Sequence, residues 1–206
     1  MKSLKKIIIL PCLLLISVAV SAQLSVGLRG GVNIATQTFE ADGFDISPDN
    51  IMGLTLAGIL ELGLTENFAI QPEIAFVQKG YQIDIEIFGT KSSIKNRVNH
   101  IDFPILAKYK FGGEAIGAYV AAGPTFGYAM SGSITEDGDK EKYEDWEDYN
   151  RFEVGGSLGG GLRFGKFFVD VRYLLGFTNL FTGEDDEISK ARNRGISLSV
   201  GFLSNL

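Results

Sequence analysis

The sequence predicts an all-β chain that closes into an eight-stranded antiparallel up-and-down transmembrane β-barrel. Three observations predict it. Beyond residue 22, large apolar residues alternate with polar or small ones through segment after segment, the period of a strand with two unlike faces. The connections alternate between tight turns and long polar stretches, as in barrels with short periplasmic turns and long outer loops. Beyond residue 22 no apolar run reaches the ~20 residues that a membrane-spanning helix needs.

The first residues predict export. Lys2, Lys5 and Lys6 precede an apolar run over 7–16, and Val20-Ser21-Ala22 supplies a small-residue cleavage site. This is the form of a secretory signal peptide, with cleavage expected after Ala22. The expected organisation is a cleaved signal over 1–22 and one outer-membrane barrel domain over 23–206. The one cysteine, Cys12, falls inside the signal, so the remaining chain has neither disulfide nor thiolate chemistry. The signal carries three lysines and no acid, so the rest has 25 acidic and 16 basic residues, a net charge of −9. That balance excludes nucleic acid as a partner, because phosphate binding needs a basic surface.

Each element follows from the alternation. Leu24, Val26, Leu28, Val32 and Ile34 share one face, opposite Ser25, Arg29 and Asn33. Met52, Leu54, Leu56, Leu60 and Leu62 oppose Thr55 and Glu61. Phe68, Ile70, Ile74 and Phe76 oppose Gln71, Glu73 and Lys79. In "HIDFPILAKYKF" (100–111), Ile101, Phe103, Ile105, Ala107, Tyr109 and Phe111 oppose Asp102, Pro104, Leu106, Lys108 and Lys110. Ile116, Val120, Phe126, Tyr128 and Met130 oppose a small-residue face of Gly117, Ala121, Gly123, Thr125 and Gly127. Val154, Leu158, Leu162 and Phe164 oppose Glu153, Ser157 and Arg163. Phe167, Val169, Val171, Tyr173, Leu175 and Phe177 oppose Asp170 and Arg172. Ile196, Leu198, Val200 and Phe202 oppose Ser197 and Ser199. Tight turns are expected at 65–67, 112–114 and 165–166, and long polar loops at 36–50, 80–98, 131–152 and 179–194.

Volume decides which face is inside. Eight strands enclose room for packed side chains or one small ligand. A soluble barrel would have to fit the large apolar residues of every strand into that space. A membrane barrel puts the small and charged residues there and turns the large ones to lipid. Phe68, Tyr109, Phe111, Phe164 and Phe167 then form an aromatic girdle near the short turns, and Phe76, Tyr128, Phe177 and Phe181 one near the long loops.

Four phrases carry a resemblance: "LTENFAIQPEIAFVQKG" (64–80), "HIDFPILAKYKF" (100–111), "AYVAAGPTFGY" (118–128) and "FFVDVRYLLGFTNL" (167–180). In order and spacing the chain resembles the PorT-like outer-membrane β-barrel family of Bacteroidetes, over nearly all of its length beyond the signal. The resemblance implies the fold and a place in the outer membrane, and little chemistry.

Candidate chemistry is sparse. Gly155-Gly156-Ser157-Leu158-Gly159 spells a nucleophile elbow, but that motif needs a strand–turn–helix context and here sits within an alternating strand. His100, the one histidine, is expected at the long-loop rim, and no serine is placed to act with it. One histidine excludes a histidine-rich zinc site. No catalytic, cofactor or metal residues are expected. The acidic stretch 131–152 reads as solvated charge. The informative set is the inward charges Arg29, Glu61, Glu73, Asp102, Lys108, Arg163, Asp170 and Arg172. Their mixed signs predict pairing into a structural network. The expected function is a non-enzymatic outer-membrane protein, structural, adhesive or part of an envelope complex. Its partners would be outer-membrane lipid and a surface protein or polysaccharide. The alternatives are a narrow pore, a lipid-modifying enzyme, and a soluble periplasmic barrel binding an apolar ligand.

Overall fold

The computed structural model describes residues 23–41, 44–46, 48–87, 90–113, 115–143, 146, 149–181 and 188–206. The expected signal peptide and the acidic positions Glu144, Asp145, Glu147 and Asp148 lie outside the described residues. The strands are β1 (Gln23–Ala41), β2 (Phe44–Ile46), β3 (Ile51–Gly63), β4 (Phe68–Ile87), β5 (Thr90–Gly112), β6 (Ile116–Glu136), β7 (Asp139–Lys142), β8 (Phe152–Phe164), β9 (Phe167–Gly176) and β10 (Ile188–Asn205). The eight longer ones form an antiparallel ring in the order β1-β3-β4-β5-β6-β8-β9-β10. β10 closes it against β1, in register from Ser25↔Asn205 to Glu40↔Lys190. Closure pairs the backbone around the ring, which hydrocarbon demands because it offers no partner to a free N–H or C=O.

The turns at one end are as short as the sequence predicts. Gly112 and Gly165 adopt φ of 82° and 60° there, a left-handed backbone that glycine reaches without a Cβ penalty. The other end differs from expectation. Much of 80–98 is not a loop: β4 and β5 stay paired from Lys79↔Val98 out to Ile87↔Thr90. β6 likewise runs to Glu136 and pairs with β7, and 188–194 belong to β10, not to a loop over 179–194. The cause is physical. Lipid imposes apolar alternation only within its own thickness, while backbone pairing continues beyond it with polar residues on both faces.

The two faces are sorted as the alternation predicts. In β3 the burial alternates residue by residue, with Met52, Leu54 and Leu56 outside and Thr55, Ala57, Ile59 and Glu61 inside. In β5, Ile105 is 45% exposed and its neighbour Leu106 0%. Leu106 packs inside with Ile59, Tyr119, Ala121, Phe168 and Leu203.

Pro104 points inward, and its tolerance has a local explanation. The β4–β5 ladder passes from Pro72↔Ile105 directly to Ala75↔Asp102. The β5–β6 ladder passes from Pro104↔Thr125 to Ala107↔Ala122. Pro124 lies on the next strand, opposite Gly156. The break beside these prolines is confined to two residues in each of the two ladders, and the β6–β8 ladder runs unbroken past Pro124, so their missing N–H groups cost few ladder bonds.

Ile105→Arg places a charge in the apolar outer band. It should destabilise the barrel by ~2–4 kcal/mol if the site is near the bilayer midplane, measured by denaturant titration in lipid vesicles.

Candidate functional site: the barrel lumen and its two ends

The inward positions of the eight strands converge on three tiers of side chains. Nearest the short turns, Lys108 Nζ lies 2.7 Å from Glu61 Oε2 and donates to Gln71 Oε1 at 2.9 Å. The same ammonium stands 4.1 Å from the Tyr119 ring centroid, a cation–π contact. Lys110, closer to the mouth, is 3.7 Å from Glu61 Oε1.

Gln71 links this tier to the next by donating to Glu73 Oε1 at 2.6 Å. Glu73 is held from both sides. Arg29 Nε donates to its Oε2 at 3.0 Å, and Arg172 Nη1 to its Oε1 at 2.8 Å. Arg172 also donates through Nε to Asp170 Oδ2 at 2.9 Å. Tyr119 donates its hydroxyl to that oxygen at 3.1 Å, and Arg29 reaches Ser199 Oγ at 3.2 Å. Arginine's planar fork suits such sharing between acceptors.

In the third tier, toward the long hairpins, Lys79 Nζ bridges two strands. It lies 3.0 Å from Asp102 Oδ2 on β5 and 2.8 Å from Glu153 Oε2 on β8. Asn193 donates to Glu153 Oε2 at 3.2 Å and accepts from Gln37 at 2.9 Å. Glycines leave room for these carboxylates. A Cβ on Gly127 would meet Asp102 Oδ1 at 2.6 Å, and one on Gly176 would strike Glu153 Oε1.

The two ends differ. The short-turn end opens into a vestibule of about 540 Å³ bordered by Glu61, Lys108, Lys110, Arg163 and Asn205. The long-hairpin end holds an aromatic cluster. Phe39, Leu180 and Ala191 are buried there, with Tyr81, Tyr149 and Phe181 packed against them. Phe39 meets Tyr81 edge-on at 5.2 Å. Trp146 meets Tyr143 and Tyr149 at 5.1 and 5.3 Å, and the Arg151 guanidinium lies 4.8 Å from Tyr128 and 4.9 Å from Trp146. Burial pushes the Tyr143 hydroxyl up to about 12, so it stays neutral at physiological pH.

Seven of the eight expected charges, Arg29, Glu61, Glu73, Asp102, Lys108, Asp170 and Arg172, are buried and in ion pairs. Arg163 stands apart at the vestibule, its Nε donating to the Gly165 carbonyl at 2.7 Å. Lys79 and Glu153 belong to the network but were not in the expected set. Their inward parity was legible, and charge on that face was the signal that could have included them. His100 lies toward the long-hairpin end, as expected, but is enclosed and not on an open rim. It is 0% exposed, with Nδ1 3.4 Å from the Val98 carbonyl and Nε2 3.8 Å from Glu153 Oε2. Phe181 is not in an outer girdle either, because it packs against Phe39 in the cluster over the mouth.

Removing one partner of such a network leaves the other charge buried and uncompensated, which costs more than the pair itself contributes. Arg172→Met should therefore destabilise the barrel by ~3–5 kcal/mol. The double variant Arg172→Met/Asp170→Asn should recover part of that loss, read from denaturant titration in vesicles.

Residues 20–182 match the family described as outer membrane protein beta-barrel domain. No curated protein matches the chain. Among solved structures the chain is similar to Ail, the attachment invasion locus protein of Yersinia pestis. Identity is 14% over 88% of this chain and 99% of that one, with a TM-score of 0.45. It is similar to OprG from Pseudomonas aeruginosa at 13% identity, over 90% and 98% of the two chains, with a TM-score of 0.43. For Neisserial surface protein A the identity is 10%, the coverage 87% and 96%, and the TM-score 0.44. The fold rests on the strand pairing itself. The family match spans most of the chain, in agreement with the closed ring and its apolar outer face: the protein belongs to the outer membrane protein beta-barrel domain family and is an outer-membrane β-barrel.

Proposed function

We propose that this barrel is a closed, non-conducting and non-enzymatic scaffold, acting as a structural or adhesive element or as part of an envelope complex. The observation that carries the reading is the filled lumen. Three tiers of buried ion pairs and an aromatic cluster stand in series between the vestibule and the opposite end. A mixed-sign, hydrogen-bonded interior offers no file of water or single-sign ring for an ion to follow. The paired extensions β4–β5 and β6–β7 continue beyond the apolar band. They provide the surface for a protein or polysaccharide partner, while outer-membrane lipid covers the apolar wall.

His100 supports the non-enzymatic reading. It is enclosed by the barrel wall, and among the described residues no serine hydroxyl hydrogen-bonds to it. The four phrases in 64–80, 100–111, 118–128 and 167–180 support a narrower placement, in the PorT-like branch of Bacteroidetes barrels. Export through a signal cleaved after Ala22 belongs to the same reading. Purified protein in planar bilayers should show no steady conductance. Reproducible unitary channels would contradict the closed scaffold and favour a narrow pore.

A further inference from the structure

The lumen tiers are not alike in charge. Lys108 and, more distantly, Lys110 face Glu61, and Arg29 and Arg172 face Glu73 and Asp170, so neither lower tier carries an excess of negative charge. The upper tier does not. Lys79 from β4 faces two carboxylates, Asp102 from β5 and Glu153 from β8, and their side chains are nearly inaccessible. Arg29 from β1 is the next cation to act on Asp102, but it is engaged on Glu73. Tyr149 approaches Glu153 from the outer side, and Asn193 from β10 is a neutral donor. A second full negative charge in so enclosed a place is costly.

Two further observations mark the same place. Among the described residues His100 Nε2 is buried without a hydrogen-bond partner, and it lies 3.8 Å from Glu153 Oε2. A small cavity of about 20 Å³ borders Asn33, Lys79, Asp102, Thr125, Glu153 and Asn193, with Arg194, an exposed residue next to the inward Asn193 on β10, also at its edge. Asn33 Oδ1 and Thr125 Oγ1, on residues 1% and 8% exposed, also lack partners among the described residues. That volume admits about one water. A water there can donate to the orphan oxygens and connect the carboxylates.

We propose that the upper tier is a proton-binding site, in which one proton taken from solvent is held at neutral pH by Asp102, Glu153 and His100. The excess proton neutralises the tier and leaves Lys79 to bridge β5 and β8. When it resides on the histidine, Nε2–H faces Glu153. When it resides on a carboxyl, that O–H donates to the other groups or to the cavity water. The lower tiers have no such deficit, so the site is specific to this level of the barrel. The proposal does not rest on the scaffold reading, because a conducting barrel could carry the same site.

The single histidine makes the test direct. Protein labelled with nitrogen-15 histidine, purified without a histidine tag, is placed in lipid vesicles at pH 7. Magnetic resonance reads the charge of His100, and infrared spectroscopy reads any protonated carboxyl. The expected result is either an imidazolium or a carboxylic-acid carbonyl band, and its loss in Asp102→Asn. A neutral imidazole with no acid band in the unmodified protein would overturn the proposal. So would an unchanged signal in a folded Asp102→Asn variant. If that variant does not fold, the unmodified protein alone decides. Stability that depends on sodium or potassium, with no proton found, would assign the missing charge to an alkali cation and also overturn it.

Discussion

An eight-stranded ring has room inside for side chains and little else. The rest of the structure depends on that limit. Large apolar residues cannot all enter, so they face outward, and an outward apolar wall is stable only against lipid. Lipid in turn requires a closed ladder, which the pairing of β10 with β1 completes. What remains for the interior is small or charged. Charges drawn into so narrow a space must find partners, and they do so across strands far apart in sequence, such as Glu73 on β4 with Arg172 on β9. The ion-pair network is therefore a consequence of the outer face as much as a design of the inner one.

Most of the wall was legible because it follows local rules. Alternation of period two marks each strand, and short turns, two of them with glycine, mark three of the connections. The parity of Ile105 and Leu106 could be assigned from neighbours alone. What could not be read was set by partners distant in the chain. The polar halves of β4, β5 and β10 carry little apolar alternation, and their pairing shows only in three dimensions. The full burial of His100 was not legible, because the groups that enclose it, Glu153 among them, come from other strands. Phe181 was misplaced because its partner, Phe39, comes from the opposite end of the chain. Lys79 and Glu153 had the right parity, but nothing in a single strand says that they meet.

The two ends of the barrel divide the work. The short-turn end is polar and open as a vestibule, with Glu61 and Lys108 at its floor. The opposite end is covered by a cluster of aromatic side chains above the third tier. Beyond it the strands continue as hairpins.

The account stands on the direction of the two faces, and one measurement reads that directly. The chain beyond residue 22 contains no cysteine, so single cysteines at Ile105 and Leu106 can each carry a fluorescent probe without background. In lipid vesicles, a quencher confined to the acyl chains should quench the probe at 105 and largely spare the one at 106. Stronger quenching at 106, or none at either position, would contradict a lipid-facing apolar wall around a charged interior.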